Sequence, residues 1–478
     1  MDKKFYITTT LPYVNAEPHI GFALEIVQAD VVARYHKLLG EDVIFNFGTD
    51  EHGQKIYQKA LEAKSDPQKY CDKYAVKFDN LKKALNLSYT NFIRTTGPHH
   101  IVAAQEFWKK CLDNDDIYKK TYRQKYCVGC ELEKTDSELV DNKCPLHPNK
   151  ELEIIEEENY FFKFSRYQRA LLELYKNSPD FVIPQAKLNE IKIFVENGLQ
   201  DFSISRLKSK MPWGIPVPND PDQVMYVWFD ALISYISTLG WPEDEKNFND
   251  FWPGIQVAGK DNLRQQTAIW QAMLLSADLP NSKQVFIHGF ITVNGQKISK
   301  SLGNVVNPFD LVEKYGTDAV RYFLLAKINP YDDSDFTIKK FEEAYNADLA
   351  NGLGNLISRI AKLCEKIKFQ LVDVRSTPIK PVWEALDSFK FDKSLEIIWN
   401  EIKNLDKEIN DKKPWEYPVK DGVSIPKQLS SFLLDASVNI VRIANHLRPF
   451  IPQTAGKILD QFTKGPIKVG KPLFPRLK

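Results

Sequence analysis

Along the first hundred or so residues the apolar positions alternate between two periods. Short β-branched and aromatic runs at Phe5–Thr10 (FYITTT), Asp42–Gly48 (DVIFNFG) and Thr90–Thr96 (TNFIRTT) read as strands. Between the first two, Ile20, Leu24, Val27, Val31, Tyr35 and Leu38 step by four, three, four, four and three, which predicts a helix with one buried stripe. A second helix is expected to open at SDPQKY, with Asp66 as its cap and Pro67 in its first turn. Strands alternating with helices imply an α/β arrangement, a parallel sheet covered on both faces.

The pattern breaks near Tyr118. From there to about Pro218 the chain holds a cysteine cluster, an acidic run (EIIEEEN) and an aromatic run (YFFKFSRY), and reads as an inserted domain. Sheet-like signals resume at QVMYVWFDALISYI and NDFWPGIQVAGKDN, and KQVFIHGFITVNGQKISKS brings an apolar strand to an Asn294-Gly295 turn. After about Phe336 helical stripes dominate. Phe391, Leu395, Ile398, Ile402, Leu405 and Ile409 mark a bundle helix, and Pro378–Pro381, Pro414 and Pro426 form joints between helices. The expected divisions are 1–117, 118–218, 219–290, 291–340 and 341–478.

At 478 residues the chain is too long for one ordinary core. It is 43% hydrophobic and 12% aromatic, which suits packed domains rather than disorder. No apolar run approaches the ~20 residues of a membrane span, and MDKKFYITTT lacks the apolar core of a secretory signal. Of six cysteines, Cys71, Cys111 and Cys364 stand alone while Cys127, Cys130 and Cys144 cluster, so no disulfide framework is indicated and a reduced cytoplasm is expected. Net charge is only +1, yet from His446 to Lys478 seven Lys or Arg face one acid, Asp460. That basic end reads equally as a phosphate-contacting or a solvated surface.

CVGC (Cys127–Cys130) and CPLH (Cys144–His147) form two tight pairs joined by a short loop. This is the spacing of a closed Cys₃His zinc site with a structural role; unliganded buried thiols are the plainer alternative. PYVNAEPHIGF places His19 and Gly21 between a strand and a helix start, where free backbone N–H groups favour an anion. Taken alone, a surface loop with an incidental histidine is the favoured reading. GTDEHG, AGKDN and KISKS, each at an expected strand end or beyond a hairpin, strengthen the ligand-binding reading.

PHIGF and KISKS, with their separation, resemble the paired signatures of class I aminoacyl-tRNA synthetases. TTTLPYVNAEPHIGFALE, GTDEHGQKI, YVWFDALISYI and GKDN resemble the methionyl-tRNA synthetase family, over about residues 5–450. The resemblance implies a Rossmann-type catalytic domain with a zinc-knuckle insertion and a C-terminal helical bundle. It implies activation of L-methionine with ATP and transfer to the 3′ end of tRNA-Met, initiator and elongator alike, with one structural Zn²⁺ and with Mg²⁺ accompanying ATP; with no appended oligomerisation domain evident after the bundle, a monomer is expected. His19, Lys297 and Lys300 would be catalytic. The ATP site would comprise His19, Gly21, Phe22, Asp261, His288, Gly289, Lys297, Ser299 and Lys300, with Ser301 beside them. The methionine site would comprise Leu11, Tyr13, Asp50, Trp228, Ala231, Leu232, Tyr235, Asn262 and Gln266, with Gln266 bonding near the sulfur or to Tyr13. Trp228, Ala231 and Tyr235 also fit an ordinary core stripe. Asn355, Arg359 and Trp415 would read the anticodon; their plain alternative is a bundle-core tryptophan and a solvated polar pair.

Phe22 departs from the family pattern, which usually ends in a second His that donates to the phosphates. Rival readings are a class I synthetase for leucine, valine or cysteine, a small-molecule nucleotidyltransferase, and a non-catalytic tRNA-binding protein. The first two of these synthetases normally carry a larger insertion than the roughly 100 residues here.

Overall fold

The computed structural model describes residues 3–130, 132–134, 138–298, 303–371, 378–418 and 425–477. They form two units. The first comprises Met1–Pro18, Gly40–Asn80 and Tyr89–Ile287; the second comprises His19–Leu39, Leu81–Ser88 and His288–Lys478.

The first unit is built on a six-stranded sheet that begins with β1 (Lys4–Thr9), β2 (Asp42–Thr49) and, at one edge, β3 (Asn91–Arg94). The spatial order is β3, β2, β1, Ile255–Gly259, Gln284–His288, Val182–Ile183. β1 pairs in parallel with β2 (Phe5↔Val43) and with the Ile255 strand (Ile7↔Ile255), so the order reverses at β1. In such sheets ligands collect beyond the carboxyl ends at that reversal. Phe5, Tyr6, Ile7, Phe45 and Phe47 are buried, as near-continuous apolar strands require.

After β2 the structure differs from expectation. The helix with Asp66 as cap, whose side chain accepts from Lys69 N at 3.1 Å, is the second in this stretch and runs Pro67–Asp79. An earlier helix, Gln54–Glu62, buries only Ile56 and Ala60, too few apolar positions to show a stripe. The sheet-like reading of QVMYVWFDALISYI holds only for its start. The strand Asp220–Met225 gives way at Tyr226 to helices Val227–Leu232 and Ser234–Ser237, because Trp228, Leu232 and Tyr235 repeat at helical spacing.

Residues after Tyr118 form a four-stranded antiparallel sheet. Its long ribbon pairs Ile117–Cys127 with Glu153–Phe162, so the acidic run is a strand.

In the second unit, α1 (Ile20–Leu38) is buried more widely than one stripe. Glu25, Gln28 and Asp30 lie inside with the apolar residues, while Leu38, expected on the stripe, is 36% exposed in the last turn. Asp30 explains the polar burial: it accepts from Ser88 N at 2.6 Å, Arg34 Nε at 2.7 Å and Arg321 Nη1 at 2.7 Å. Arg321, fully buried, also donates to the carbonyls of Leu85, Pro449 and Phe450, so one guanidinium joins α1 to the chain's last helices. Asn294 and Gly295 both take positive φ, 52° and 74°, and turn Ile291–Val293 back onto Gln296–Lys297. The expected bundle helix spans Phe391–Lys412, with all six stripe residues buried.

Candidate functional site

At the mouth of α1 the His19 ring folds back over its own helix. Nδ1 accepts the Gly21 N–H at 3.1 Å, capping the helix and leaving the ring proton on Nε2. A Cβ on Gly21 would lie 2.9 Å from the imidazole, so any larger residue would push the ring out of this position. Phe22 stacks on His19 with centroids 4.3 Å apart. Ile20 N donates to Val306 O at 3.0 Å, tying this turn to the segment after the lysine motif. Lys297 is exposed, its ammonium 5.9 Å from the Phe290 ring centre. Ser299, Lys300 and Ser301 lie outside the described residues. His288 Nε2 faces Glu25 at 3.0 Å and Nδ1 faces Gly289 O at 2.7 Å, which fixes the ring between the two. A Cβ on Gly289 would meet the Asp332 backbone at 2.2 Å, which accounts for glycine there.

In the first unit, Tyr13 and Asp50 form a parallel bridge, with Val14 N to Asp50 O at 3.2 Å and Asp50 N to Pro12 O at 3.0 Å. The two residues after Asp50 are anchors. Glu51, fully buried, takes a bidentate Arg94 at 2.7 and 2.9 Å and hydroxyls from Thr49 and Thr96. His52 Nδ1 reaches Asp230 at 2.6 Å. Asp50 is thus presented by a loop with little freedom. Leu11 and Tyr13 are half-buried beside it.

Tyr235 is fastened from two sides. Its carbonyl accepts from Tyr6 Oη at 2.7 Å and its hydroxyl from Gln266 Nε2 at 2.6 Å. Gln266 Oε1 accepts from Gln256 Nε2 at 2.9 Å, and Gln256 from Ser282 Oγ at 2.6 Å. Gln266 therefore spends its amide on Tyr235 and Gln256. Ala231, Leu232 and Tyr235 are buried, while Trp228 is half-buried with its indole N–H enclosed and lacking a protein acceptor. Asp261 and Asn262 follow the strand Ile255–Gly259 in a short 3₁₀ turn; Asp261 is exposed and accepts from Asn262 at 3.3 Å.

The four knuckle residues converge as their spacing implied. The ligand atoms of Cys127, Cys130, Cys144 and His147 lie within 4.8 Å of one another. Cys130 Sγ is 3.4 Å from Cys144 Sγ and 3.2 Å from His147 Nδ1. A tetrahedral ion with Zn–S of ~2.3 Å and Zn–N of ~2.0 Å sets its donors about 3.5–3.8 Å apart, so the donor set fits. Gly129 is required because a Cβ would enter the His147 ring at 2.4 Å; its carbonyl accepts Lys55 Nζ at 2.6 Å.

In the helical region Arg359 and Trp415 come together. The guanidinium lies 5.6 Å from the Trp415 ring centre, held by Asp406 Oδ1 and Asn410 Oδ1, each at 2.6 Å. Trp415 is 47% exposed. Asn355, also exposed, lines a separate groove of about 470 Å³ with Asn351, Ser358, Phe474 and Arg476.

Sequence reasoning missed Arg206. It is buried, with its guanidinium 4.4 Å from the Tyr226 ring centre and 5.4 Å from that of Tyr126, and it lines a cavity of about 120 Å³ with Gln54, Glu157 and Lys210. No local motif marks it. Trp270, edge-on to Tyr235 at 5.9 Å, was missed because a buried apolar helix carries no positional signal.

The model for class I tRNA synthetases (M) matches residues 5–151 and 133–361. The chain is 42% identical to a methionine–tRNA ligase from Synechocystis over 96% of its length and 89% of the relative's. It is 40% identical to one from Rickettsia prowazekii, covering 96% and 93%. Among solved structures it superposes on the Mycobacterium tuberculosis methionyl-tRNA synthetase in complex with methionyl-adenylate with a TM-score of 0.92, 32% identity, and coverage of 99% and 100%.

Proposed function

We infer the residue roles from one premise: the chain belongs to the methionine–tRNA ligase family of class I tRNA synthetases. It activates L-methionine with ATP to methionyl-adenylate and transfers the methionyl group to the 3′ end of tRNA. A carboxylate oxygen of methionine bonds to the α-phosphorus, pyrophosphate leaves with the electron pair, and the tRNA hydroxyl later displaces AMP. The protein's task is alignment and charge neutralisation.

Asp50, on its anchored loop, pairs with the α-ammonium group. Tyr13, Trp228 and Tyr235 supply aromatic surface to the polarizable thioether, with Leu11, Ala231 and Leu232 completing an apolar wall. Asn262 borders it, and Gln266 acts by holding Tyr235. His19 donates Nε2–H to the phosphates beside Gly21. Lys297, Ser299 and Lys300 act on the departing pyrophosphate, Mg²⁺ enters with the triphosphate, Asp261 takes the ribose, and the backbone around His288-Gly289 takes adenine. Cys127, Cys130, Cys144 and His147 hold one Zn²⁺, which orders the knuckle and takes no part in bond making.

Arg359 and Trp415 read and stack an anticodon base, with Asn355 alongside; initiator and elongator tRNA-Met are both substrates. The protein works as a cytoplasmic monomer. Among the described residues no helix is long and apolar enough to cross a membrane.

The observation that carries the reading is the fastened aromatic floor at Tyr235 in the same unit as the presented Asp50 carboxylate, one group for each end of a methionine zwitterion. ATP–pyrophosphate exchange with each amino acid in turn tests it. Exchange with methionine alone is expected; exchange with leucine, valine or cysteine instead overturns it, and no exchange with retained tRNA binding marks a non-catalytic tRNA binder.

A further inference from the structure

Behind the candidate methionine pocket lies a polar chain that the proposed chemistry leaves unused. Asp230 is fully buried on the helix Val227–Leu232. At 100° per residue it points away from Trp228 and Leu232, so it occupies the helix's rear face. Both carboxylate oxygens accept from histidines: Oδ2 from His52 Nδ1 at 2.6 Å and Oδ1 from His100 Nε2 at 2.7 Å. His100, fully buried near the start of the helix Pro98–Asp113, has Nδ1 2.9 Å from Ser237 Oγ, and the hydroxyl donates there. His52 sits two residues after Asp50, and its ring packs 5.6 Å from Trp213, whose indole N–H donates to Glu51 O at 2.6 Å. One buried carboxylate therefore joins the Asp50 loop, the helix bearing Trp228 and Ala231, and the Pro98 helix.

Burial pushes the Asp230 carboxyl up, but the His52 charge and the bonds from both rings reverse this and leave it below the ordinary carboxylate range. An ionised, fully hydrogen-bonded carboxylate is a stiff joint, and removing one partner leaves the others unpaired in a dry interior.

We propose that His52, Asp230 and His100 form a positioning clamp that sets the separation between the Asp50 carboxylate and the Trp228–Ala231 face, and so governs methionine recognition rather than ATP binding. The inference rests on the reading of those residues as the methionine pocket. None of the three touches substrate. Their contribution is alignment, to which bound zwitterions are sensitive because both the charged and the apolar end must be satisfied at once.

The test is steady-state pyrophosphate exchange by the 478-residue chain with its metal, varying methionine and ATP separately. In His52→Ala the KM for methionine rises about tenfold, the KM for ATP stays within twofold and kcat within threefold. His52→Asn, whose side-chain amide takes the place of Nδ1–H, restores the methionine KM to within threefold. An unchanged methionine KM in His52→Ala, equal rises for both substrates, or His52→Asn behaving as His52→Ala overturns the clamp. Should His52→Ala fail to fold, Asp230→Asn decides: it keeps the volume but turns one acceptor into a donor, and an unaltered methionine KM there overturns the clamp. Absence of methionine-dependent exchange in the unaltered protein defeats the pocket assignment itself, a distinct outcome.

Discussion

The imidazole of His19 lies stacked on the ring of Phe22, with centroids 4.3 Å apart and planes at 30°. The residue that departs from the family pattern thus holds the histidine that remains. An aromatic pair of this kind contributes about 0.5–1.5 kcal/mol. Phe22→Ala is expected to raise the KM for ATP several-fold with little change for methionine. Phe22→His, which keeps an aromatic ring, retains activity and methionine binding. Loss of methionine binding in Phe22→His, read by equilibrium dialysis, counts against a phosphate-side role.

His19 both caps α1 and carries the Nε2 proton, and the two functions are separable. Asn keeps an acceptor for the Gly21 N–H but lacks the reach of Nε2. His19→Asn should preserve the melting temperature while exchange falls on the order of 100-fold, the usual effect of removing a donor aimed at developing charge. A rate within threefold of the parent means that the Nε2 proton is not used.

Metal removal should act on stability before chemistry. Elemental analysis is expected to find one zinc per chain, and Cys144→Ser to lose it. Because Lys55 joins the knuckle to the helix Gln54–Glu62, the loss should also loosen the chain just after the Asp50 loop. Hydrogen exchange at residues 54–62 that is the same with and without metal argues against this coupling.

Protonating His446 should weaken the second unit. Nε2 accepts the Ile379 N–H at 2.8 Å and Nδ1 donates to Arg442 O at 2.8 Å, an arrangement that needs a neutral ring; the ring stacks on Trp383 at 4.7 Å. Burial, with the nearby Arg442 charge, pushes its pKa below the ordinary 6.5. The unfolded chain then takes up the proton first on acidification. The stabilisation is complete above pH 6.5 and is lost as pH falls from there towards the folded value. Thermal unfolding at pH 7.5 and 5.5 should show a smaller decline in His446→Gln, whose amide oxygen accepts from Ile379 at either pH. An identical decline in the variant removes His446 as a source.

Arg359→Ala and Trp415→Ala should raise the KM for tRNA in aminoacylation and leave pyrophosphate exchange unchanged. Stacking on an exposed ring is worth about 1–3 kcal/mol per base, so a rise of ten- to a hundred-fold is expected for Trp415→Ala. Asp406→Asn, which removes the charge that orients Arg359, should give a smaller rise. Equal loss of exchange and aminoacylation in these variants indicates a folding defect rather than a tRNA contact.

What the sequence by itself determined is whatever neighbouring residues decide. The repeating apolar positions of α1 and of Phe391–Lys412, the Asn294-Gly295 hairpin and the convergence of Cys127, Cys130, Cys144 and His147 follow from backbone periodicity, turn stereochemistry and the close spacing within each ligand pair. Tertiary structure alone decided the rest. That Glu25 and Asp30 are buried, that Gln266 serves Tyr235, that Arg206 faces Tyr226 and that Asp230 meets a histidine 178 residues away depend on which surfaces pack. A polar side chain enters the interior only where a distant partner satisfies it, and no local pattern records who that partner is.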